Sequence, residues 1–258
     1  MADMRAFWNV WAPYWRQIEN TYLDAPTIQR LEREIASPVL LVGAGQGLLV
    51  ERLRKDGFQA DVVDSEPAMI AYARKRRRLQ LTEADARAMP FADESYATAV
   101  VATGVIDFLD DKPTIRAILD ETLRVTQRSG DVFIAFHKMR EPVESALEEL
   151  GMFVDDGHSY RLRAMLRAQL ESPRLLFRIA KADRGTLVAL RAVLKMQFLT
   201  NTLKAAFIAV TPELVPYRKE DRVRQLFDEL GVPLHRIHAF ETCTVAQLQR
   251  RRSIAAEG

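Results

Sequence analysis

The chain has 258 residues and a mass of 29.4 kDa, with 48% apolar and 28% charged residues and a net charge of +2. This is ordinary globular composition, long enough for one large core with an appended lobe, and it excludes disorder, collagen and low-complexity fibres for the whole. One cysteine, Cys243, excludes a disulfide scaffold. Together with four scattered histidines it gives no metal-ligand spacing, so no metal is expected. No run of about 18 apolar residues offers a membrane span. The opening MADMRAFWNVWAPYW lacks the apolar run of a signal peptide, and a cytoplasmic protein is expected.

Residues 1–37 read as a helical cap, with Phe7, Trp8, Trp11, Tyr14 and Trp15 crowded at one end. From 38 to 140, short apolar runs alternate with helical patterns, as expected of βαβ units and a mostly parallel sheet. The run 38–42 (PVLLV) is continuously apolar, like a strand buried on both faces, and leads into Gly43-Ala-Gly45-Gln-Gly47 and a helix over 48–55. A second strand covers 59–63 and closes at Asp64; a helix follows over 67–79. A third short strand at 80–83 ends near Asp85, a fourth covers 96–102 and a fifth 131–136. The helix between the last two, 113–126, is expected to stop at Ser129-Gly130.

Residues 141–216 show no convincing strand pattern. Leu162, Met165, Leu166 and Leu170 fall at helical spacing, as do Leu187, Leu190 and Leu194, so a helical insertion is expected. Charge is uneven here. Residues 158–204 hold ten Lys or Arg against Glu171 and Asp183, a balance of +8, whereas 141–156 hold six acids and no base. Residues 217–258 return to the core with a helix over 221–230, a Gly231-Val-Pro turn and an antiparallel terminal hairpin from 234–240 and 243–247. The expected fold class is α/β, Rossmann-like, with an antiparallel terminal strand and the helical insertion.

The strand–GAGQG–helix junction is where chemistry is expected. Glycines let the backbone turn sharply and approach a ligand closely, and the helix after them presents unpaired N–H groups. Asp64, at the end of the second strand, suits a carboxylate that accepts ribose hydroxyls; a helix N-cap before Pro67 is the lesser reading, compatible with the first. A dinucleotide fingerprint, GxGxxG, fails because Leu48 takes the third glycine's place. A P-loop fails for want of its lysine.

Four segments in order, VLLVGAGQGLLVERL, VVDSEPAMIAYARKR, EADARAMPFADESY and VVATGVIDFL, resemble the motifs of class I S-adenosylmethionine-dependent methyltransferases. The resemblance implies S-adenosylmethionine as cofactor and S-adenosylhomocysteine as product. It places Gly43, Gly45 and Gly47 beside the methionine part, Asp64 on the ribose with Ser65 beside the adenine, and Asp85 with Ala86 facing the adenine amino group. Thr103 and Gly104 would line the sulfonium and the path to the acceptor, and Tyr14 and Trp15 would close over the cofactor. Two positions depart from the pattern: Leu41 stands where the family usually has an acid before the first glycine, and Ala97 where an Asp is frequent.

The activity so implied is methyl transfer to a small-molecule acceptor, with the apolar stripes pointing to a lipophilic one and the insertion covering it. His137, after the fifth strand, and Asp107, after the fourth, are the candidate catalytic groups for deprotonating or orienting the acceptor. The other reading, motivated by Leu41 and Ala97, is a non-catalytic methyltransferase-like binding or scaffold protein. The basic run Arg74–Arg78 ends a helix and reads as a solvated face. For 158–204 the readings are a lid, a peripheral membrane contact, a grip on an acidic acceptor or a homodimer contact. No base-reading module is recognisable, and nucleic acid is not an expected partner.

Overall fold

The computed structural model describes residues 4–22, 25–43, 45, 47–138, 141–154, 159–171, 205, 208–240 and 243–249. Two helices, α1 (Met4–Tyr22) and α2 (Ala25–Glu34), precede the first strand, β1 (Val39–Val42). Then come α3 (Leu48–Lys55), β2 (Ala60–Asp64), α4 (Pro67–Arg77), β3 (Thr82–Glu83), β4 (Tyr96–Val101), α5 (Lys112–Val125) and β5 (Thr126–His137). In the insertion lie α6 (Glu141–Glu149), β6 (Phe153–Val154), β7 (Ser159–Tyr160), α7 (Leu162–Glu171) and β8 (Val215–Pro216). The chain closes with α8 (Glu220–Leu230), β9 (Arg236–Ala239) and β10 (Cys243–Gln249).

Seven strands form one sheet in the order β3-β2-β1-β4-β5-β10-β9. The first five are parallel; β10 returns antiparallel to β5, pairing Cys243 with His137, and β9 pairs antiparallel to β10. Side chains on a strand alternate between faces, so VLLV in β1 feeds two cores. Leu40 and Val42 join Ala99, Val101, Ile134 and Phe136 against α5 and α8. Val39 and Leu41 join Val62, Val100, Phe133 and Val245 against α2, α3 and α4. This three-layer α/β/α arrangement is the Rossmann-like architecture expected. Leu41, where an acid would be usual for the family, is fully buried and sits on the α3–α4 side.

Two expectations about elements need correction. The helix before β5 ends at Val125, within a residue of the expected end, but the strand expected over 131–136 already starts at Thr126, so Ser129-Gly130 lie inside it. Thr126 is already extended at the helix end, and its hydroxyl donates to the Thr122 carbonyl at 2.7 Å. Gly130 lies inside the strand, where the β4–β5 register shifts between Tyr96 and Thr98. A side chain there would put its Cβ 2.5 Å from the Ala97 carbonyl oxygen, so glycine permits close strand approach instead of ending a helix.

The insertion also contains strands. The two-residue strands β6, β7 and β8 form a small antiparallel sheet over a separate core of Leu147, Tyr160, Val215 and Tyr217. Strands this short leave no alternation to read, and β8 is supplied from 55 residues beyond β7 by number. Residues 172–204, which carry most of the +8 segment and the later leucine stripes, lie outside the described residues. Among the described residues, no helix is long and apolar enough to cross a membrane.

Gly130→Ala should destabilise the fold by about 1–3 kcal/mol, because the colliding partner is backbone and cannot swing aside. Urea unfolding measures this; an unchanged midpoint would contradict the close-approach account.

Candidate functional site

In the order β3-β2-β1-β4-β5, the connections run to opposite sides from β1 and β4. Open α/β sheets bind ligands outside the carboxyl ends of the strands at such a switch point. A cavity of about 520 Å³ opens there, within the usual range of small-molecule sites. Of the residues expected to bind cofactor, Gly43, Gly45, Asp64, Ser65, Asp85, Ala86, Thr103 and Gly104 all line it. Gly43, at φ +70°, allows the exits of β1 and β4 to come close: a Cβ there would stand 2.0 Å from the Val105 side chain in the loop after β4. Gly47, at φ +84°, is the N-cap of α3 and makes no side-chain cap, so it shapes the turn behind the cavity.

Asp64 holds this turn. Its Oδ2 accepts the Gly45 N–H at 3.0 Å, and its Oδ1 accepts the Glu66 N–H at 2.9 Å. The carboxylate therefore ties the glycine loop to the start of α4, whose N-cap is Glu66 with no side-chain cap of its own. Burial raises the Asp64 pKa to about 7 against the pull of those two N–H groups, and neighbouring Glu66 adds to the rise. The desolvation of Asp64 is only partly offset by those N–H groups, and the carboxylate lines the cavity. It stands ready for hydroxyl donors.

Asp85 presents a different picture. Both of its oxygens accept from the Arg87 guanidinium, Oδ2 from Nη2 at 2.6 Å and Oδ1 from Nε at 2.9 Å, and Oδ1 also accepts the Arg87 N–H at 2.8 Å. That side-chain pairing, foremost, holds the Asp85 carboxyl below the usual carboxylate range. Arg87 itself lines the cavity, so the rim at this end is an ion pair and not a lone carboxylate.

The wall facing Gly104 is aromatic. A Cβ on Gly104 would meet the Trp8 indole at 3.6 Å, and Trp8 edge-on and Phe7 tilted each pack against Phe108 with ring centres 5.6 Å apart. Met4, Trp8 and Phe108 line the cavity. The aromatic residue that the described part of α1 brings to the cavity is thus Trp8; the side chains of Tyr14 and Trp15, further along the same helix, lie outside the described residues.

The two candidate catalytic groups do not reach the cavity wall. Asp107 is buried, its Oδ2 accepting the Gly104 N–H at 2.6 Å and its Oδ1 the His137 N–H at 2.9 Å. Burial raises its pKa, and both N–H groups and Arg218 oppose the rise. His137 is half-buried with its Nδ1 enclosed; burial lowers its pKa to about 4, so the ring is neutral and a weak base at pH 7. Neither residue lines the cavity. Asp107 therefore acts as a strut between the exits of β4 and β5, and His137 contributes its backbone to that strut. Sequence reading missed Trp8 as the cavity's aromatic wall, Phe108, Arg87, Glu66 and Arg218. The first two were within reach, since the aromatic cluster and the VIDFL segment were both visible.

Residues 39–130 match the family model of a methyltransferase domain. Over that third of the chain the sequence has the pattern of a methyltransferase domain. A Demethylmenaquinone methyltransferase from Corynebacterium efficiens is 30% identical over 109 residues, 42% of this chain and 45% of that protein. An eEF1A lysine and N-terminal methyltransferase homolog from Drosophila melanogaster is 29% identical over 121 residues, 42% of this chain and 18% of that protein. The chain thus spans less than half the length of either relative. A S-adenosylmethionine-dependent methyltransferase structure from Methanosarcina mazei aligns over 82% of this chain and 91% of its own, at 14% identity and a TM-score of 0.53, a likeness of fold. S-adenosylmethionine is the cofactor that goes with this domain. The cavity fits it: a buried carboxylate faces a glycine turn at one end, and an apolar aromatic wall faces Gly104 at the other.

A carboxylate whose folded pKa lies above its unfolded value of 3.8 costs stability as pH rises from about 4 to about 7, and the loss is complete above that. The unfolding free energy of the wild type minus that of Asp64→Asn should therefore fall between pH 5 and pH 8. Urea unfolding at the two pH values reads the difference; a rise, or no change, would contradict the desolvated carboxylate.

Proposed function

We propose that the chain transfers the methyl group of S-adenosylmethionine to a small-molecule acceptor with an apolar body. The observation that carries this is the Asp64 carboxylate, anchored by Gly45 and Glu66 N–H groups and facing the cavity at the switch point. Bound there, the cofactor supplies a methyl group already activated for in-line displacement. The chain's own task is binding and alignment. Asp64 accepts the ribose hydroxyls, Ser65 and Ala86 flank the adenine, and the Gly43–Gly45 turn gives the methionine part room against the backbone. The Asp107 strut fixes Gly104, and Trp8 and Phe108 keep water from the face beside it.

The apolar wall of Met4, Trp8 and Phe108 supports an apolar small acceptor, as does the similarity to a protein named for demethylmenaquinone. A protein acceptor is the second reading, favoured by the relative named for eEF1A lysine and N-terminal methylation.

S-Adenosylmethionine and S-adenosylhomocysteine should each raise the melting temperature by about 5–10 °C at about 100-fold excess over Kd, and NADH should not. Asp64→Ala should weaken S-adenosylhomocysteine about tenfold or more by calorimetry, as loss of a charged acceptor does. No shift with either sulfur ligand would favour the non-catalytic scaffold. Methyl transfer to peptides and none to apolar small molecules would favour the protein acceptor.

A further inference from the structure

Arg218 lies outside the methyltransferase domain match, just where the chain leaves the insertion, and it is nine-tenths buried. Its guanidinium donates to three carbonyl oxygens of the loop after β4: Nη1 to Ile106 at 3.4 Å and to Asp107 at 3.3 Å, and Nη2 to Leu109 at 2.6 Å. Buried Arg is expensive unless its fork is matched, and here Asp107 and Asp110 supply the opposite charge. The same loop gives Thr103, Gly104, Phe108 and Leu109 to the cavity wall.

A second connection runs beside the first. Phe108 lines the cavity and also packs against the insertion's small core of Leu147, Tyr160, Val215 and Tyr217. That core is tied to its surroundings by hydrogen bonds. The Tyr217 hydroxyl donates to Glu144 of α6 at 3.2 Å, and Arg163 of α7 donates to the Thr211 carbonyl at 2.7 Å. The β4 loop is thus gripped by Asp107 from the core side and by Arg218 and Tyr217 from the insertion side.

We propose that Arg218 is a positioning residue that couples the cavity-lining loop after β4 to the small sheet of the insertion, so that a ligand in the cavity and the insertion order each other. This rests on the reading of the cavity as the cofactor site. A ligand that stiffens Gly104 and Phe108 must stiffen the groups that Arg218 and Phe108 touch, and by linkage an acceptor ordering the insertion must tighten the cofactor. An acceptor held by the insertion would then raise cofactor affinity without touching the cofactor.

Hydrogen–deuterium exchange of the full chain, with S-adenosylhomocysteine as probe, tests this. In the wild type the probe should slow exchange in residues 47–55 and 103–109, and also in 147–154, 159–166 and 211–217, by about tenfold, the size of an ordinary coupling. In Arg218→Met the protection in 47–55 should persist and that in 147–154, 159–166 and 211–217 should be largely lost, the Phe108 contact alone sustaining the remainder. Arg218→Lys, which keeps the charge but not the fork, should lose most of the insertion protection, and covers the case in which the methionine variant does not fold. Wild-type protection confined to 39–130, or insertion protection undiminished in the folded variants, overturns the coupling and leaves the cofactor reading intact. No protection in 47–55 or 103–109 overturns both.

Discussion

A carboxylate taken out of water and given two backbone N–H groups is the constraint on which this site depends. Asp64 sits where β2 ends, and its oxygens reach one residue of the glycine loop and one at the start of α4. The loop and the helix are brought to fixed positions by a group that belongs to neither. Burial works against the charge and the two N–H groups work for it, which leaves the pKa near 7 in the free protein. Two hydrogen bonds do not exhaust a carboxylate, which has about four acceptor sites. The remaining ones face the cavity, and a ligand that fills them removes the cost of having buried the charge.

Asp107 shows the same construction put to another use. It too is buried and accepts two backbone N–H groups, from Gly104 and His137. Its surroundings close it off: Arg218 covers the loop carbonyls around it, and the cavity does not reach it. One aspartate therefore holds the exit of β2 and stays open to ligand, while the other holds the exits of β4 and β5 and is sealed. Between them the crevice at the switch point has both walls fixed before any ligand arrives, which is what a site working by alignment requires.

How much of this the sequence disclosed follows from how local each signal is. The glycine turn, Asp64 and the apolar strand β1 lie within one βαβ unit and were legible from spacing, as were the antiparallel closing strands. Trp8 was visible as an aromatic, but choosing among the five clustered aromatics at one end of the helix needs the helix's rotation over Gly104. Asp107 looked catalytic because it follows a strand at the ligand edge; its partners are backbone groups, which carry no sequence signature. Arg218 acts on carbonyls 109 to 112 residues away and had no pattern to betray it. Gly130 was read as a helix stop because glycine commonly is one, whereas here an approaching carbonyl demanded it.

The most direct test of the account is the titration of the Asp64 carboxyl itself. Carbon-13 labelling of aspartate side chains, with Asp64→Asn to assign the signal, gives its pKa in the free protein and in the protein saturated with S-adenosylhomocysteine. The account predicts a midpoint near 7 in the free protein and a clear fall when the ligand's hydroxyls reach the carboxylate. A midpoint near 4 in both states would mean that Asp64 is neither desolvated by the fold nor engaged by the ligand, and would contradict it.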